Sequence, residues 1–187
     1  MLLAAGAGTR YGGPKALVVH DGVGWLASGV ALLLEAGCAD VVVVLGASAE
    51  EAATLLPADP RVTVIIADAW RDGMAASLRA GLDAVAAGAT SAVLVSLVDL
   101  PGLPVEAARR VLGAGGRESL RQAVYAGRPG HPVLIGRDHW ARLDASLTGD
   151  SGARAYLAAH GAIAVECGDL GDGHDVDRAP DARGAAG

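Results

Sequence analysis

The chain has 187 residues, a formal net charge of -6 and two cysteines. That length suits a single domain over residues 1–187, and an acidic balance without a basic run excludes a generic nucleic-acid or anionic-membrane surface, which leaves a small molecule as the expected partner. Cys38 and Cys167 are far apart, as expected of small core residues in a reducing cytoplasm, and no apolar run reaches membrane-spanning length.

The chain opens on a short apolar stretch that runs into the glycine-rich segment Gly6 to Lys15. This predicts a first strand that either starts further upstream or is unusually short. A helix is predicted over 25–36. The β-branched runs 41–45, 62–67 and 92–98 are continuous, the pattern of parallel strands covered on both faces. Helical spacing over 49–56 and 74–87 alternates with them, and a further helix is expected near Pro104. Residues 122–126 and 131–135 are short strand-like runs flanking Gly127-Arg128-Pro129-Gly130, which predicts an antiparallel hairpin inserted in the parallel plan. Helices near 138–145 and 150–160 and a strand over 162–167 follow. A Gly/Asp-rich tail from Gly168 is expected to return to the site. The βαβα alternation defines the α/β class: a three-layer α/β/α, Rossmann-like, mostly parallel sheet with an inserted antiparallel hairpin.

In such sheets ligands collect at the carboxyl ends of the strands, here 6–15, 46–48, 68–77, 99–104 and 168–177. The first of these loops carries the most chemistry, since glycines let backbone N–H groups approach phosphate oxygens. A Walker A loop is excluded: Gly8 and Gly13 have its spacing, but Pro14 stands where the lysine belongs and no hydroxyl follows. A dinucleotide fingerprint starts at Gly6 and Gly8 but meets Tyr11 in place of its third glycine, and no ribose-binding acid follows Leu45. What remains is a longer loop with two cations, Arg10 and Lys15, a number that suits a triphosphate. Asp99, directly after a strand, is the first candidate ligand for Mg²⁺, and a helix-capping carboxylate is the plainer alternative.

The segment Leu3-Ala4-Ala5-Gly6-Ala7-Gly8-Thr9-Arg10-Tyr11-Gly12-Gly13-Pro14-Lys15 resembles the L-A-[AG]-G-x-[GS]-x-R-[MF]-G-x-P-K signature of the MobA-like nucleotidyltransferases, most closely their molybdenum cofactor cytidylyltransferase branch. Further matches follow in order at 72–82, 99–101, 130–133, 148–154 and 175–177. The resemblance implies a fold of the nucleotide-diphospho-sugar transferase type. It also implies Mg²⁺-dependent transfer of CMP from CTP to a phosphorylated acceptor such as molybdopterin cofactor, with release of pyrophosphate, and a molybdoenzyme as recipient of the product. Lys15, Arg10 and Asp99 would carry the catalysis. Leu3, Ala4, Ala5, Gly6, Ala7, Gly8 and Gly12, with Lys15 and Ser77, would bind the nucleotide, through the backbone N–H groups of 7–12 and base contacts at 3–6 and Ser77. Ala5 stands where guanylyl-transferring relatives carry glycine, which tips the base toward cytosine. Asp177 and its neighbour Asp175 would join Asp99 on the metal, and His131 and Arg128 on the hairpin would meet the acceptor.

Each residue has a plainer reading: an acidic surface loop for Asp175 and Asp177, a helix serine bonded to its own backbone for Ser77, a core histidine for His131, a solvated arginine for Arg128. Trp25, Trp70 and Trp140 are too scattered for a stacking platform and read as core or rim; the other histidines show no ligand spacing. The tail departs from the family at Arg178-Ala179-Pro180-Asp181. The competing functions are transfer from GTP or to another phosphorylated acceptor, a nicotinamide-dependent oxidoreductase of quinoid heterocycles on the same scaffold, and a non-catalytic binding module.

Overall fold

A computed structural model describes residues 1–20 and 22–178. In chain order its elements are β1 (Leu2–Ala4), β2 (Val19–His20), β3 (Val23–Gly24), α1 (Trp25–Glu35), β4 (Val41–Leu45), α2 (Ala49–Ala53), β5 (Val62–Ile66), α3 (Met74–Ala86), β6 (Ala92–Leu97), α4 (Val105–Leu112), β7 (Leu120–Tyr125), β8 (Arg128–Gly136), α5 (Arg137–Ser146), α6 (Arg154–Ala159) and β9 (Ile163–Glu166). Single 3-10 turns occupy Lys15–Leu17 and Trp70–Asp72.

Seven strands form the main sheet in the order β5-β4-β1-β6-β8-β7-β9, and β2 pairs with β3 in a separate hairpin. β1, β4, β5 and β6 pair in parallel, as do β7 and β9, whereas β8 runs antiparallel to both β6 and β7. This is the mostly parallel α/β sheet with an inserted hairpin that the sequence predicts. β1 is only three residues long, yet it is held on both sides, with Leu3 opposite Val44 on β4 and Leu97 on β6. The loop that leaves it is therefore placed by the middle of the sheet.

Side-chain alternation along β1 builds two cores. Leu2 and Ala4 join Leu26, Val30 and Leu33 of α1 and Ala107, Ala108 and Val111 of α4 on one face. Met1 and Leu3 join Leu78 and Leu82 of α3, Leu143 of α5 and Leu157 of α6 on the other. Each fully buried leucine contributes about 1.5–3 kcal/mol. Alanine, valine and leucine fill both cores, since the chain has no phenylalanine.

Three boundaries differ from the sequence reading. The hairpin turn is Ala126–Gly127, with φ 49° and 79°, instead of 127–130; two consecutive positive-φ residues match the twist of the strands, so Arg128 and Pro129 belong to β8. α2 ends at Ala53 rather than 56, because Pro57 disfavours helical backbone at the residue before it. α6 begins at Arg154 rather than 150, because Gly149 takes φ 51° and its carbonyl accepts the Ala75 N–H at 2.9 Å. β2 and β3, at two residues each, are too short to show a period. The departure at 178–181 lies, beyond Arg178, outside the described residues.

Candidate active site

The loop after β1 is wound around one carbonyl. Gly8 O accepts the N–H groups of Tyr11, Gly12 and Gly13 at 2.9, 2.9 and 3.1 Å. Gly8 has φ 58°, and a Cβ there would stand 1.9 Å from Gly13 O, so only glycine closes the turn. Those three N–H groups are spent inside the loop, which corrects the expectation that 7–12 offers its donors as a block. The N–H groups of Ala7, Gly8, Thr9 and Arg10 have no backbone carbonyl partner among the described residues. Gly6 to Tyr11 and Lys15 line a cleft of about 620 Å³, and Gly12 does not.

On the β6 side of the cleft stands Asp99, half-buried just after the strand. The late segment reaches it through the backbone, the Val176 N–H donating to Asp99 O at 2.9 Å, which sets Asp175 and Asp177 on either side of the contact. Lys15 Nζ lies 2.9 Å from Asp99 Oδ2 and 3.2 Å from Asp177 Oδ1, and Arg10 Nη1 lies 3.1 Å from Asp177 Oδ2. Burial works to lower the Lys15 pKa, but its hydrogen bonds and charge contacts with Asp99 and Asp177 outweigh that and hold it above the usual lysine value. Lys15 is therefore a fixed cation at neutral pH.

Asp99, Asp175 and Asp177 each offer a carboxylate oxygen, and these oxygens lie within 4.8 Å of one another. Asp99 Oδ1 is buried without a hydrogen-bond partner among the described residues. An orphaned buried carboxylate oxygen is costly, and a hard divalent cation that takes oxygen ligands would satisfy it. The donor set fits such an ion.

Trp70, Arg71, Gly73, Met74 and Ser77 form the opposite wall. Ser77 is buried in the first turn of α3 and its hydroxyl makes no hydrogen bond to a described residue, so it does not cap its own backbone. Of the residues expected to read a base, Leu3 O takes the Val98 N–H and Ala5 O takes the Ala47 N–H, while Gly6 opens on free space. Trp70 and Arg71 belong to this wall through the turn after β5, whereas the sequence reading assigns Trp70 only a core or rim role. Its signal is its place just past a parallel strand, within 68–77.

The hairpin residues lie apart from the cleft lining. His131 is half-buried, and burial pushes its pKa down to about 4 against the opposing pull of Asp99 and Asp175, so it is neutral at neutral pH. Arg128 Nη1 meets His174 Nε2 at 3.3 Å on the exposed rim, where it joins hairpin to acidic segment. Both cysteines are free, and burial raises both thiol pKa values. Among the described residues no helix is long and apolar enough to cross a membrane.

A mostly parallel α/β sheet with an inserted antiparallel strand, a glycine loop after β1 and an acidic group facing that loop define the class: a nucleotidyltransferase-type fold. More particularly, the chain belongs to the MobA-like NTP transferase domain family, whose model matches residues 1–164. It is similar to the nicotine blue oxidoreductase of Paenarthrobacter nicotinovorans, 36% identical over 95% of this chain and 90% of the relative. Among solved structures it is similar to Rv0371c of Mycobacterium tuberculosis H37Rv, with TM-score 0.76 and 25% identity over 95% of this chain and 90% of that one. Rv0371c has also been solved in complex with manganese, at TM-score 0.70 and 24% identity over 89% and 84%. The 2-C-methyl-D-erythritol 4-phosphate cytidylyltransferase of Thermus thermophilus shares the fold, with TM-score 0.63 and 20% identity over 94% and 90%.

Proposed function

We propose that the protein transfers CMP from CTP to a phosphorylated acceptor such as molybdopterin cofactor and releases pyrophosphate, with Mg²⁺ or Mn²⁺ as cofactor. The observation that carries this reading is the orphaned Asp99 Oδ1 beside Asp175, Asp177 and Lys15, facing a loop with unspent N–H donors. In this reaction an acceptor phosphate oxygen forms a bond to the α-phosphorus as the bond to pyrophosphate breaks. Nothing covalent forms on the protein. Ala7 to Arg10 offer backbone N–H groups to phosphate oxygens, and Lys15, which has three N–H donors with two directed at Asp99 and Asp177, keeps one for the triphosphate. Arg10, its side chain 78% exposed and paired with Asp177 at 3.1 Å, lines the cleft where it would meet the leaving group. Asp99, Asp177 and Asp175 would hold the cation, which supplies charge neutralisation on the phosphates when bound. That the similar protein Rv0371c has been solved with manganese supports a divalent cation as cofactor. Ala5 lines the cleft, and the alanine at this place, where guanylyl-transferring relatives carry glycine, favours cytosine in this reading.

A second reading is reduction of a quinoid heterocycle by a nicotinamide cofactor, favoured by the 36% identity to a nicotine blue oxidoreductase. The loop register, with Tyr11 at the third glycine position and no acid after β4, counts against a dinucleotide. One assay separates the two. Pyrophosphate released from CTP in the presence of a phosphorylated pterin, with GTP far slower, supports transfer; oxidation of NADPH with a quinoid dye and no pyrophosphate from any triphosphate overturns it.

A further inference from the structure

The two ends of the cleft differ in chemistry. The strands beneath it lie in the order β5, β4, β1, β6, so it spans three strand spacings, about 14 Å. The β6 end holds Asp99, Asp175, Asp177 and Lys15, while Asp150, against Gly73, lines the opposite wall. The β5 end holds Trp70, Arg71, Met74 and Ser77: an indole, a guanidinium, a thioether 38% exposed and an unpaired hydroxyl. The Arg71 guanidinium carbon stands 4.4 Å from the centroid of the Trp70 ring, within cation–π distance. Trp70 is itself fixed, its backbone N–H donating to Ala67 O at 3.0 Å and its ring seated against Gly46, where a Cβ would come within 2.6 Å of it. Arg10 and Lys15 are paired with carboxylates, whereas Arg71 has no carboxylate partner among the described residues. The guanidinium is held over the Trp70 ring.

We propose that Arg71, held over the Trp70 ring, stacks on the nucleobase of the bound nucleoside triphosphate and sets nucleotide affinity at the end of the cleft remote from the acidic group. This assignment rests on the nucleotide reading above. A planar cation over a flat heterocycle with a hydroxyl at its edge is base chemistry; a phosphate contact would call for the guanidinium fork instead. Trp70 acts through Arg71 and is a positioning residue.

The test titrates the wild-type protein, Arg71→Ala and Arg71→Lys with CTP and, separately, with inorganic triphosphate, each with Mn²⁺. The Arg71 side chain is exposed and makes no hydrogen bond within the described protein, so both variants should fold, which circular dichroism checks. Arg71→Ala is expected to weaken CTP about tenfold and to leave triphosphate unchanged; Arg71→Lys, which keeps charge without a plane, should not restore CTP binding. In turnover the loss appears in KM for CTP with kcat retained. Unchanged CTP affinity in Arg71→Ala, or an equal loss for triphosphate, overturns the assignment alone. Failure of the wild-type protein to bind CTP at all overturns the nucleotide reading and the assignment with it.

Discussion

Among single residues the chemistry turns on Lys15 and Asp99, which face each other across 2.9 Å. If Lys15 takes up charge at the leaving pyrophosphate, Lys15→Ala should lower kcat/KM for CTP by about 10²–10³-fold, the usual cost of losing one such contact. Asp99→Asn should weaken Mn²⁺ binding, followed by the ion's paramagnetic signal, by at least about tenfold, since a neutral amide replaces a ligating charge. His131 gives a pH signature of its own. Its folded pKa, pushed down to about 4 by burial, lies below its unfolded value near 6.5, so its neutral form contributes stability above pH 6.5 that is lost as pH falls toward 4. In chelator, the Tm of the wild-type protein should drop across that window, and His131→Gln should flatten the drop. The placement of Lys15, Arg10 and Asp99 together at the cleft was legible in the sequence because each follows a strand at the carboxyl edge of the sheet. Arg71 was not, because its partner ring comes from a single 3-10 turn whose geometry leaves no period, and Gly12 was overread because hydrogen bonds inside a loop cannot be counted from composition.

Among the elements, the loop and the late acidic segment position the chemistry. Gly8→Ala forces a Cβ against Gly13 O in a left-handed backbone, a strain of about 1–3 kcal/mol confined to the loop. CTP affinity measured by calorimetry should fall, while the far-ultraviolet spectrum stays native. The backbone of the acidic segment is tied to Asp99 by the Val176 N–H, so Val176→Pro, which removes the N–H that Asp99 O accepts, should cost about 10–100-fold in Mn²⁺ affinity with Asp99, Asp175 and Asp177 all still present. Strands 41–45, 62–66 and 92–97 were legible because continuous β-branched runs have few other uses, and the hairpin because its two runs flank a glycine turn. The turn itself was misplaced by position rather than type: Ala126 adopts φ 49°, a conformation its composition does not advertise.

Across the whole molecule, the inserted antiparallel β8 ties the two parallel groups of strands into one sheet, and α1 with α4 and α3 with α5 and α6 cover its faces. The cleft lies across the order β5-β4-β1-β6 and is lined by the segments that leave β1, β5 and β6, a juxtaposition that the βα alternation implied in outline. The tail's return to Asp99 was expected from the resemblance at Asp175-Val176-Asp177; the Val176 hydrogen bond supplies its physical cause. The same scaffold serves a relative named for oxidoreduction, so fold alone does not choose the reaction and the cleft's ligand does. That ligand is read out by a thermal shift of the purified protein with each of the four nucleoside triphosphates, NADH and NADPH, with and without Mn²⁺. CTP with Mn²⁺ should raise Tm most, and Asp99→Asn should remove the metal-dependent part of the rise. Stabilisation by NADPH alone, with no response to any triphosphate, would refute nucleotidyl transfer.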